Sequence, residues 1–400
     1  MLELLVIVKI KKLTLRPSFP RMWQSDIPWK YHRWSKWISA FAAMTTLLMT
    51  GSFAQADIII GVAGPMSGQY QIFGQQMKNG VQAAIADINA HGGISGELLA
   101  LNVADDGCDV RKAEDVARRF VSAGTSVVVG HFCSNPSLSV AKIYEAAGIP
   151  MIVPSASVPL FAQVAGWNVV RIASRDDVQA DVAAKRVSQK FPEGAIAVLD
   201  DGTAPNTVLS KRFASALSKP PKLASTFKPD LKDFTSLVTD IKSQNIAAIY
   251  FACSASDAGT IAAALRFAGS TAKFYGPDTL LTDQYWERAQ DAGESTNVTF
   301  ITDPQATHHA KSVIASLKTA GFNADGATLP SYAAVQLFAA AAVHAGPKNG
   351  HGIAEWLRSG TSIETVLGPL KFDKTGEVQP PRFVWYEWHQ AKYTALPFDK

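Results

Sequence analysis

The stretch that decides the fold is Ser126-Val-Val-Val-Gly-His-Phe-Cys-Ser134, together with its counterpart Ile149-Pro-Met-Ile-Val-Pro-Ser-Ala-Ser157. In each stretch a short aliphatic run ends in a loop that carries hydroxyl groups, and a segment with helical spacing follows. This order is typical of a buried parallel strand that leads into a helix. Ligands of open α/β sheets lie beyond the carboxyl ends of the strands, where helix N-termini favour anions. The two loops therefore predict a neutral cradle for a carboxylate, which favours a receptor over a catalyst.

The same alternation of strand and helix continues along the chain. Four short apolar runs alternate with helical segments over residues 58–153, and a second series of the same kind covers residues 169–275. Repeated βα units predict parallel sheets covered by helices on both faces. Helices at about residues 307–320 and 331–345 exceed what the second sheet needs, so we expect the chain to return to the first domain. The prediction is an α/β fold of two doubly wound parallel-sheet lobes, joined by a hinge of two or three crossings.

Residues 1–56 are typical of an export signal. A basic stretch precedes the apolar run 37–49, and Ala54-Gln-Ala56 offers a cleavage site before Asp57. The run is shorter than the roughly 20 apolar residues that a membrane helix needs, although an uncleaved anchor stays an alternative. A start at Met22 would give the signal a more ordinary length. We therefore expect a periplasmic protein, exported by a cleaved signal peptide.

The positive charge of the chain belongs to this leader. The leader holds eight of the 38 lysines and arginines but only two of the 34 acidic residues, which leaves 30 basic and 32 acidic residues beyond it. This balance gives no evidence for a nucleic-acid partner. The remaining chain is too long for one ordinary core, so we expect two domains.

The chain carries no motif that would indicate an enzyme. Gly61-Val-Ala-Gly-Pro-Met-Ser-Gly68 differs from the dinucleotide-binding pattern, and H-E-x-x-H, G-x-S-x-G and Walker sequences do not occur. His308 and His309 are expected to be exposed at a helix start rather than to bind a metal. Phe383, Trp385 and Trp388 alternate in a late strand and are expected to pack in the core. We therefore expect no catalytic residues, no metal and no cofactor.

From residue 57 onward the chain resembles the periplasmic solute-binding proteins of ABC importers, of the leucine/isoleucine/valine-binding type. The resemblance rests on eight short motifs in the same order: Gly64-Pro-Met-Ser-Gly68, Asp87-Ile-Asn-Ala-His-Gly-Gly-Ile94, Asp105-Asp-Gly-Cys108, Gly130-His-Phe-Cys-Ser134, Pro154-Ser-Ala-Ser157, Lys232-Asp-Phe-Thr235, Gly276-Pro-Asp278, and Gly368-Pro-Leu370 with Phe372-Asp-Lys-Thr-Gly376. It implies two lobes joined by three crossovers, with an amino acid bound in the cleft between them. It also implies a membrane permease as partner, and we expect a monomer. We place residues 57–175 and 304–367 in the first lobe, and residues 176–303 and 368–400 in the second.

The resemblance also implies which residues contact the ligand. Ser134 and Ser157 match positions that bind the ligand carboxylate, and Ser155 matches one whose backbone carbonyl accepts from the ligand ammonium. Asp278 matches the family's acidic residue for that ammonium, usually Glu. Charged hydrogen bonds of this kind contribute roughly 1.5–3 kcal/mol each. The alternative for the three serines is turn and helix-cap chemistry, and Asp278 after Gly-Pro could serve a turn.

The side-chain pocket departs from the family. Three positions that often hold aromatic residues in the family are Phe73, Ala204 and Ser254 in this chain. Smaller side chains make a larger pocket, which favours a branched-chain or bulkier apolar or aromatic amino acid. The alternative is a ligand without an ammonium, such as an amide or an aromatic carboxylate. Asp278 separates the two hypotheses, because an anion that lacks an ammonium would be repelled by it.

Three cysteines follow the leader. Cys108 and Cys133 lie in loops after neighbouring predicted strands and match the family's disulfide, so we pair them. Cys253 is left over at a strand end, where a buried apolar role fits better than a reactive thiol. For the mechanism we expect the ligand to dock on the first lobe, after which the second lobe closes over it and brings Asp278.

Overall fold

The computed structural model describes residues 58–164, 166–228, 231 and 233–396. The predicted signal peptide at residues 1–56 and Lys232 of the sixth motif lie outside these ranges. In the part of the chain that is described, no helix has the length and apolar character needed to cross a membrane.

The first lobe is built on a parallel sheet of five strands. They are β1 (Ile58–Gly64), β2 (Leu99–Asp105), β3 (Val127–Gly130), β4 (Met151–Val153) and β5 (Val169–Arg171), connected by α1 (Gln71–Ala90), α2 (Val110–Ser122), α3 (Ser134–Ala146) and α4 (Phe161–Val164). The strand order is β2-β1-β3-β4-β5. Strands β3 and β4 are buried throughout, since helices cover both faces of the sheet.

The second lobe is built on a sheet of seven strands. They are β6 (Ile196–Asp200), β7 (Leu223–Thr226), β8 (Ala248–Ala252), β9 (Lys273–Gly276), β10 (Asn297–Ile301), β14 (Phe383–His389) and β15 (Lys392–Ala395), in the order β15-β14-β10-β9-β8-β6-β7. Its helices are α5 (Val178–Lys190), α6 (Ala204–Ala216), α7 (Thr235–Ser243), α8 (Ala255–Phe267) and α9 (Asp283–Ala289). Strand β14 pairs antiparallel with both β10 and β15, whereas the other pairs described in this sheet are parallel. The expected packing role of Phe383, Trp385 and Trp388 is confirmed, because all three side chains are buried.

The later helices pack on the first lobe, as the length of the helical pattern predicted. They are α10 (Lys311–Thr319), α11 (Thr328–Ala345) and α12 (Gly350–Leu357), and their buried side chains share one core with β1 and β3. Helix α11 lies directly against α1. A Cβ atom at Gly80 would come within 2.0 Å of the Thr328 carbonyl oxygen, so the close approach of the two helices requires glycine there.

A small antiparallel sheet follows α12. Its position differs from the prediction that the second lobe begins again at residue 368. Its strands are β11 (Ile363–Thr365), β12 (Gly368–Phe372) and β13 (Val378–Gln379). The side chains of Leu370, Phe372 and Val378 join the core of the first lobe, because alternate residues of β12 face that core. The chain then enters the second sheet at β14. The other predicted bounds of the two lobes stay a prediction.

Three segments cross between the lobes. They follow β5 at residues 172–177, follow β10 at residues 302–307, and precede β14 at residues 380–382. The fold is thus the two-lobed α/β architecture that the sequence predicts, with a hinge of three crossings. These crossings bring side chains from distant parts of the chain to the floor of one cleft.

Candidate ligand-binding cleft

A cavity of about 310 Å³ lies between the two lobes and above the crossings. Its first-lobe wall includes Phe73, Phe132, Pro154, Ser155 and Ser157, all from loops or helix starts that follow β1, β3 and β4. Asp278, Phe300 and Ile301 belong to the second lobe, and the crossings contribute Ile172, Ser174, Asp176, Thr302 and Arg382. The volume lies at the lower end of the range for small-molecule sites.

The loop after β3 is held from beneath by buried groups. A disulfide joins Cys108 to Cys133 across a Cα–Cα distance of 5.5 Å, as predicted. Below it, His131 Nδ1 lies 2.6 Å from an Asp106 carboxylate oxygen, and His131 Nε2 lies 3.1 Å from the Tyr144 hydroxyl. The side chains of His131 and Asp106 are fully buried. This network fixes the hydroxyl-bearing loop without any ligand.

The predicted serines of the first-lobe wall differ in position. Ser155 and Ser157 line the cavity, and the Ser155 hydroxyl donates to the Phe132 carbonyl oxygen at 3.1 Å. Phe132 in turn stacks on Phe73, with ring centroids 4.7 Å apart, so the predicted Phe73 also lines the cavity. Ser134 is the first residue of α3 and is half-buried, but it does not line the cavity.

Ser157 contacts an acidic residue that the sequence analysis missed. Its hydroxyl donates to an Asp176 carboxylate oxygen at 2.7 Å, and the Asp176 amide donates to the Ser157 carbonyl oxygen at 3.1 Å. Asp176 is solvent-exposed, yet partial burial by the walls of the cleft raises the pKa of its carboxyl, an effect that the bond from Ser157 opposes. In the sequence, Asp176 and Asp177 precede a helix, where acidic residues ordinarily serve the N-terminus.

Asp278 follows β9 and enters the same cavity, as the sequence analysis predicted for the opposite wall. Its carboxylate accepts from Gln179 Nε2 at 3.2 Å, and its amide donates to Gln179 Oε1 at 3.3 Å. Burial raises the pKa of the Asp278 carboxyl, the bond from Gln179 lowers it in part, and the negative charge of Asp176 raises it further. The two carboxylates therefore repel each other across one cleft.

Two residues predicted for the side-chain pocket do not line the cavity. Ala204 begins α6 and is exposed. Ser254 is the N-cap of α8, where its hydroxyl oxygen accepts from the Asp257 amide at 3.1 Å. Its own amide donates to an Asp201 carboxylate oxygen at 3.2 Å, which ties the two loops together. Ser254 thus has a local role at a helix start, and Ala204 lies at the start of α6 outside the cavity lining.

Cys253 is fully buried at the end of β8, as the sequence predicts. Burial raises the pKa of its thiol well above the ordinary value, and the nearby charge of Asp201 adds to the shift. The thiol is therefore held in its neutral form. A reactive role for Cys253 has no support in this geometry.

A cleft between two α/β lobes, with hydroxyl groups on one wall and carboxylates from the hinge and the other lobe, is typical of a receptor for a small solute. The family model described as a periplasmic binding protein matches residues 57–386, and this chain belongs to that family. An amino acid binding protein of Pseudomonas aeruginosa is 34% identical over 365 residues, covering 89% of this chain and 96% of the relative. The Leu/Ile/Val-binding protein homolog 1 of Brucella suis biovar 1 is 31% identical over 352 residues, covering 87% and 95%.

Solved structures share the fold. A putative branched-chain amino acid ABC transporter protein of Rhodospirillum rubrum superposes with a TM-score of 0.72 at 20% identity, covering 85% of this chain and 99% of that chain. A solute binding protein of R. palustris in complex with benzoate superposes with a TM-score of 0.55 at 19% identity, covering 85% and 95%. The chain is thus a member of the periplasmic binding protein family rather than an enzyme, its relatives are named as amino acid and Leu/Ile/Val-binding proteins, and its family implies a periplasmic location.

Proposed function

We propose that this protein is the substrate-binding component of an ABC amino-acid importer, and that it holds an α-amino acid in the cleft between its lobes. The observation that carries the proposal is the meeting of Ser155 and Ser157 with Asp176 and Asp278 in one cavity. An amino acid needs donors for its carboxylate, and negative charge and carbonyl groups for its ammonium. In the cleft the serine hydroxyls lie on the first wall, Asp176 lies on a crossing, and Asp278 lies on the second wall.

The electrostatics of the two carboxylates support a cationic group in the ligand. Burial raises the pKa of both Asp176 and Asp278, and repulsion by the charge of Asp176 raises the pKa of Asp278 further, whereas Arg171 lowers the pKa of Asp176. A ligand ammonium between them would relieve this repulsion and would bind to the ionised forms. A ligand that is only an anion would add a third negative charge.

The first lobe supplies the docking surface in this proposal, and hinge closure then encloses the ligand. Ser157 would meet the carboxylate, and Ser155 would accept from the ammonium through its carbonyl oxygen, whereas Ser134 would act from outside the cavity lining. Asp278 would arrive with the second lobe. The closed form would be delivered to a membrane permease, with the receptor acting as a monomer after removal of its signal peptide.

The apolar walls favour a ligand with a sizeable side chain. Phe73 and Phe132 stack along the first wall, and Phe300 faces the cavity from the second lobe. We therefore propose a branched-chain amino acid or a bulkier apolar or aromatic one. The benzoate complex of the R. palustris protein favours a second candidate, a receptor of this fold for an aromatic carboxylate.

Thermal unfolding of the purified mature protein against a panel of ligands separates these candidates. The panel contains apolar and aromatic α-amino acids, and the matching carboxylates without an ammonium, benzoate included. A ligand at 100 times its Kd adds about 2.7 kcal/mol of stability. Stabilisation by amino acids alone supports the proposal. Stabilisation by benzoate or another simple carboxylate, without any effect of amino acids, replaces it with the second candidate.

A further inference from the structure

The residue with a role still to be assigned in this cleft is Arg382. It lies in the third crossing, and its backbone is held by the other two: its amide donates to the Ser174 hydroxyl at 2.8 Å, and its carbonyl oxygen accepts from the Thr302 amide at 3.0 Å. All three residues line the cavity. The arginine is thus fixed at the hinge, where a bound ligand would meet it on the floor of the cleft.

The guanidinium group of Arg382 is half-buried, but it lacks an acidic partner. One terminal nitrogen donates to the Leu367 carbonyl oxygen at 3.0 Å. Within residues 58–164, 166–228, 231 and 233–396, no carboxylate oxygen lies within 4.0 Å of it. Arg171, in contrast, forms a bidentate salt bridge with the carboxylate of Glu377. A partly buried guanidinium ordinarily has such a partner, and its planar fork suits a carboxylate.

Arg382 lines the same cavity as the two acids but forms no ion pair with either of them. Burial lowers the pKa of Arg382, and no carboxyl group in the described part of the chain offsets that effect. Conversely, Arg382 has no part in the pKa shifts of Asp176 and Asp278. Apolar side chains, Ile172 and Leu367 among them, line the same cavity. The cavity is therefore lined by two acids, by an arginine that is ion-paired to neither of them, and by apolar side chains.

We propose that Arg382 is a specificity-determining residue that binds a second carboxylate, carried on the side chain of the amino-acid ligand. This inference rests on the proposed function for the ligand's ammonium, which is assigned to the two aspartates, and it replaces the wholly apolar side chain proposed above by one with an acidic end. The ligand class is then an α-amino acid whose side chain has an apolar middle and an acidic end. The apolar walls contact the middle, and Arg382 contacts the end.

The test uses isothermal titration calorimetry with three six-carbon probes. The first is 2-aminohexanedioate, which has both carboxylates and the ammonium, and the second is 2-aminohexanoate, which lacks the distal carboxylate. The third is hexanedioate, which lacks the ammonium. Each is titrated into the mature protein and into the variants Arg382→Gln and Arg175→Gln. Arg175 is a matched control, since it lies at the hinge but pairs with Asp177 and does not line the cavity.

The wild-type protein is expected to bind 2-aminohexanedioate roughly 10- to 150-fold more tightly than 2-aminohexanoate, the range for a charged hydrogen bond. Arg382→Gln should abolish that preference, because its loss of affinity for 2-aminohexanedioate should exceed its loss of affinity for 2-aminohexanoate. Arg175→Gln should keep the preference. Circular dichroism and thermal unfolding of both variants show that they fold.

Three results would overturn the inference. One is equal affinity of the wild-type protein for the first two probes. Another is an equal loss of affinity for the first two probes in Arg382→Gln, because Arg382 would then contact the α-carboxylate that they share, or would act only through the fold. The third is no binding of any of the three probes. In each of these cases, stabilisation by other amino acids would leave the proposed function standing. Arg382-dependent binding of hexanedioate alone would instead overturn the proposed function.

Discussion

The two walls of the cleft are built on different principles. The first-lobe wall is neutral and tied down, with a disulfide below the loop at Cys133 and Arg171 donating to the carbonyl oxygens of Ala156 and Val158. Opposite it, Asp278 is held by two bonds to the side chain of Gln179, and it faces a second carboxylate, Asp176. The comparison teaches that one wall is organised before the ligand arrives, whereas the other carries charge that the ligand must balance.

The largest expected effect concerns the support of the first wall. Arg171 is 1% exposed and is held by Glu377, so Glu377→Gln leaves a buried positive charge without its partner. Breaking a buried pair in this way costs about 3–5 kcal/mol of unfolding free energy, measurable by urea denaturation. The matched control is Asp115→Asn, which removes the exposed pair between Arg118 and Asp115 and should cost less than about 1 kcal/mol. If Glu377→Gln loses as little unfolding free energy as Asp115→Asn, the first wall does not depend on the pair between Arg171 and Glu377.

The disulfide provides the second test of the first wall. Replacing Cys108 and Cys133 together by serine opens a loop of 25 residues and should cost about 2–4 kcal/mol of unfolding free energy. Reduction of the unaltered protein should give a similar loss. Cys253→Ala is the control, since this buried residue forms no disulfide and the effect of reductant should persist in it. A double variant as stable as the unaltered protein would contradict the view that this wall is held before ligand binding.

The third test uses pH to examine the charged side. Burial holds the pKa values of Asp176 and Asp278 above the usual range in the free protein, and an ammonium binds to their ionised forms. Affinity for an amino acid should therefore fall as the pH falls through these raised values, by up to about tenfold per pH unit for each group that must ionise. The stability of the free protein depends on pH in the opposite sense. Because the folded state raises the pKa of these carboxyl groups, the free energy of unfolding falls as the pH rises through the raised values. Calorimetric titrations from about pH 7 to about pH 4 measure the first effect. An affinity independent of pH over that range would contradict the role of the two carboxylates.

The smallest expected effect concerns the boundary of the second wall. Ser254→Ala removes the cap of α8 and should cost about 1 kcal/mol of stability, without a change in ligand affinity beyond twofold. Thermal unfolding and calorimetry of the same sample measure the two quantities. A tenfold loss of affinity would instead extend the second wall to α8, and would support the pocket role predicted from the sequence.

The sequence predicts the first wall better than the second for a physical reason. The loops at residues 130–134 and 153–157 follow consecutive parallel strands, and the carboxyl ends of such strands meet at one edge of a sheet. Asp176 and Arg382 instead lie in crossings, where they come together only after the two lobes are assembled. No periodicity marks them, since Asp176 resembles a helix-start residue and Arg382 follows two prolines. The alignment with the family predicted that Ser254 lies in the pocket, but its side chain caps the N-terminus of α8 instead.

The central claim is that the ligand's ammonium binds to the carboxylate of Asp278. A double-mutant cycle measures this contact most directly. Its two ligands are the amino acid of the panel that binds most tightly and the same compound without its amino group. Each ligand is titrated into the unaltered protein and into Asp278→Asn. Calorimetric affinities of the four combinations give the coupling energy between the two groups. We predict a favourable coupling of about 1.5–3 kcal/mol, with Asp278→Asn weakening the amino acid alone. A coupling near zero, or tighter binding of the counterpart that lacks the amino group, would contradict the account.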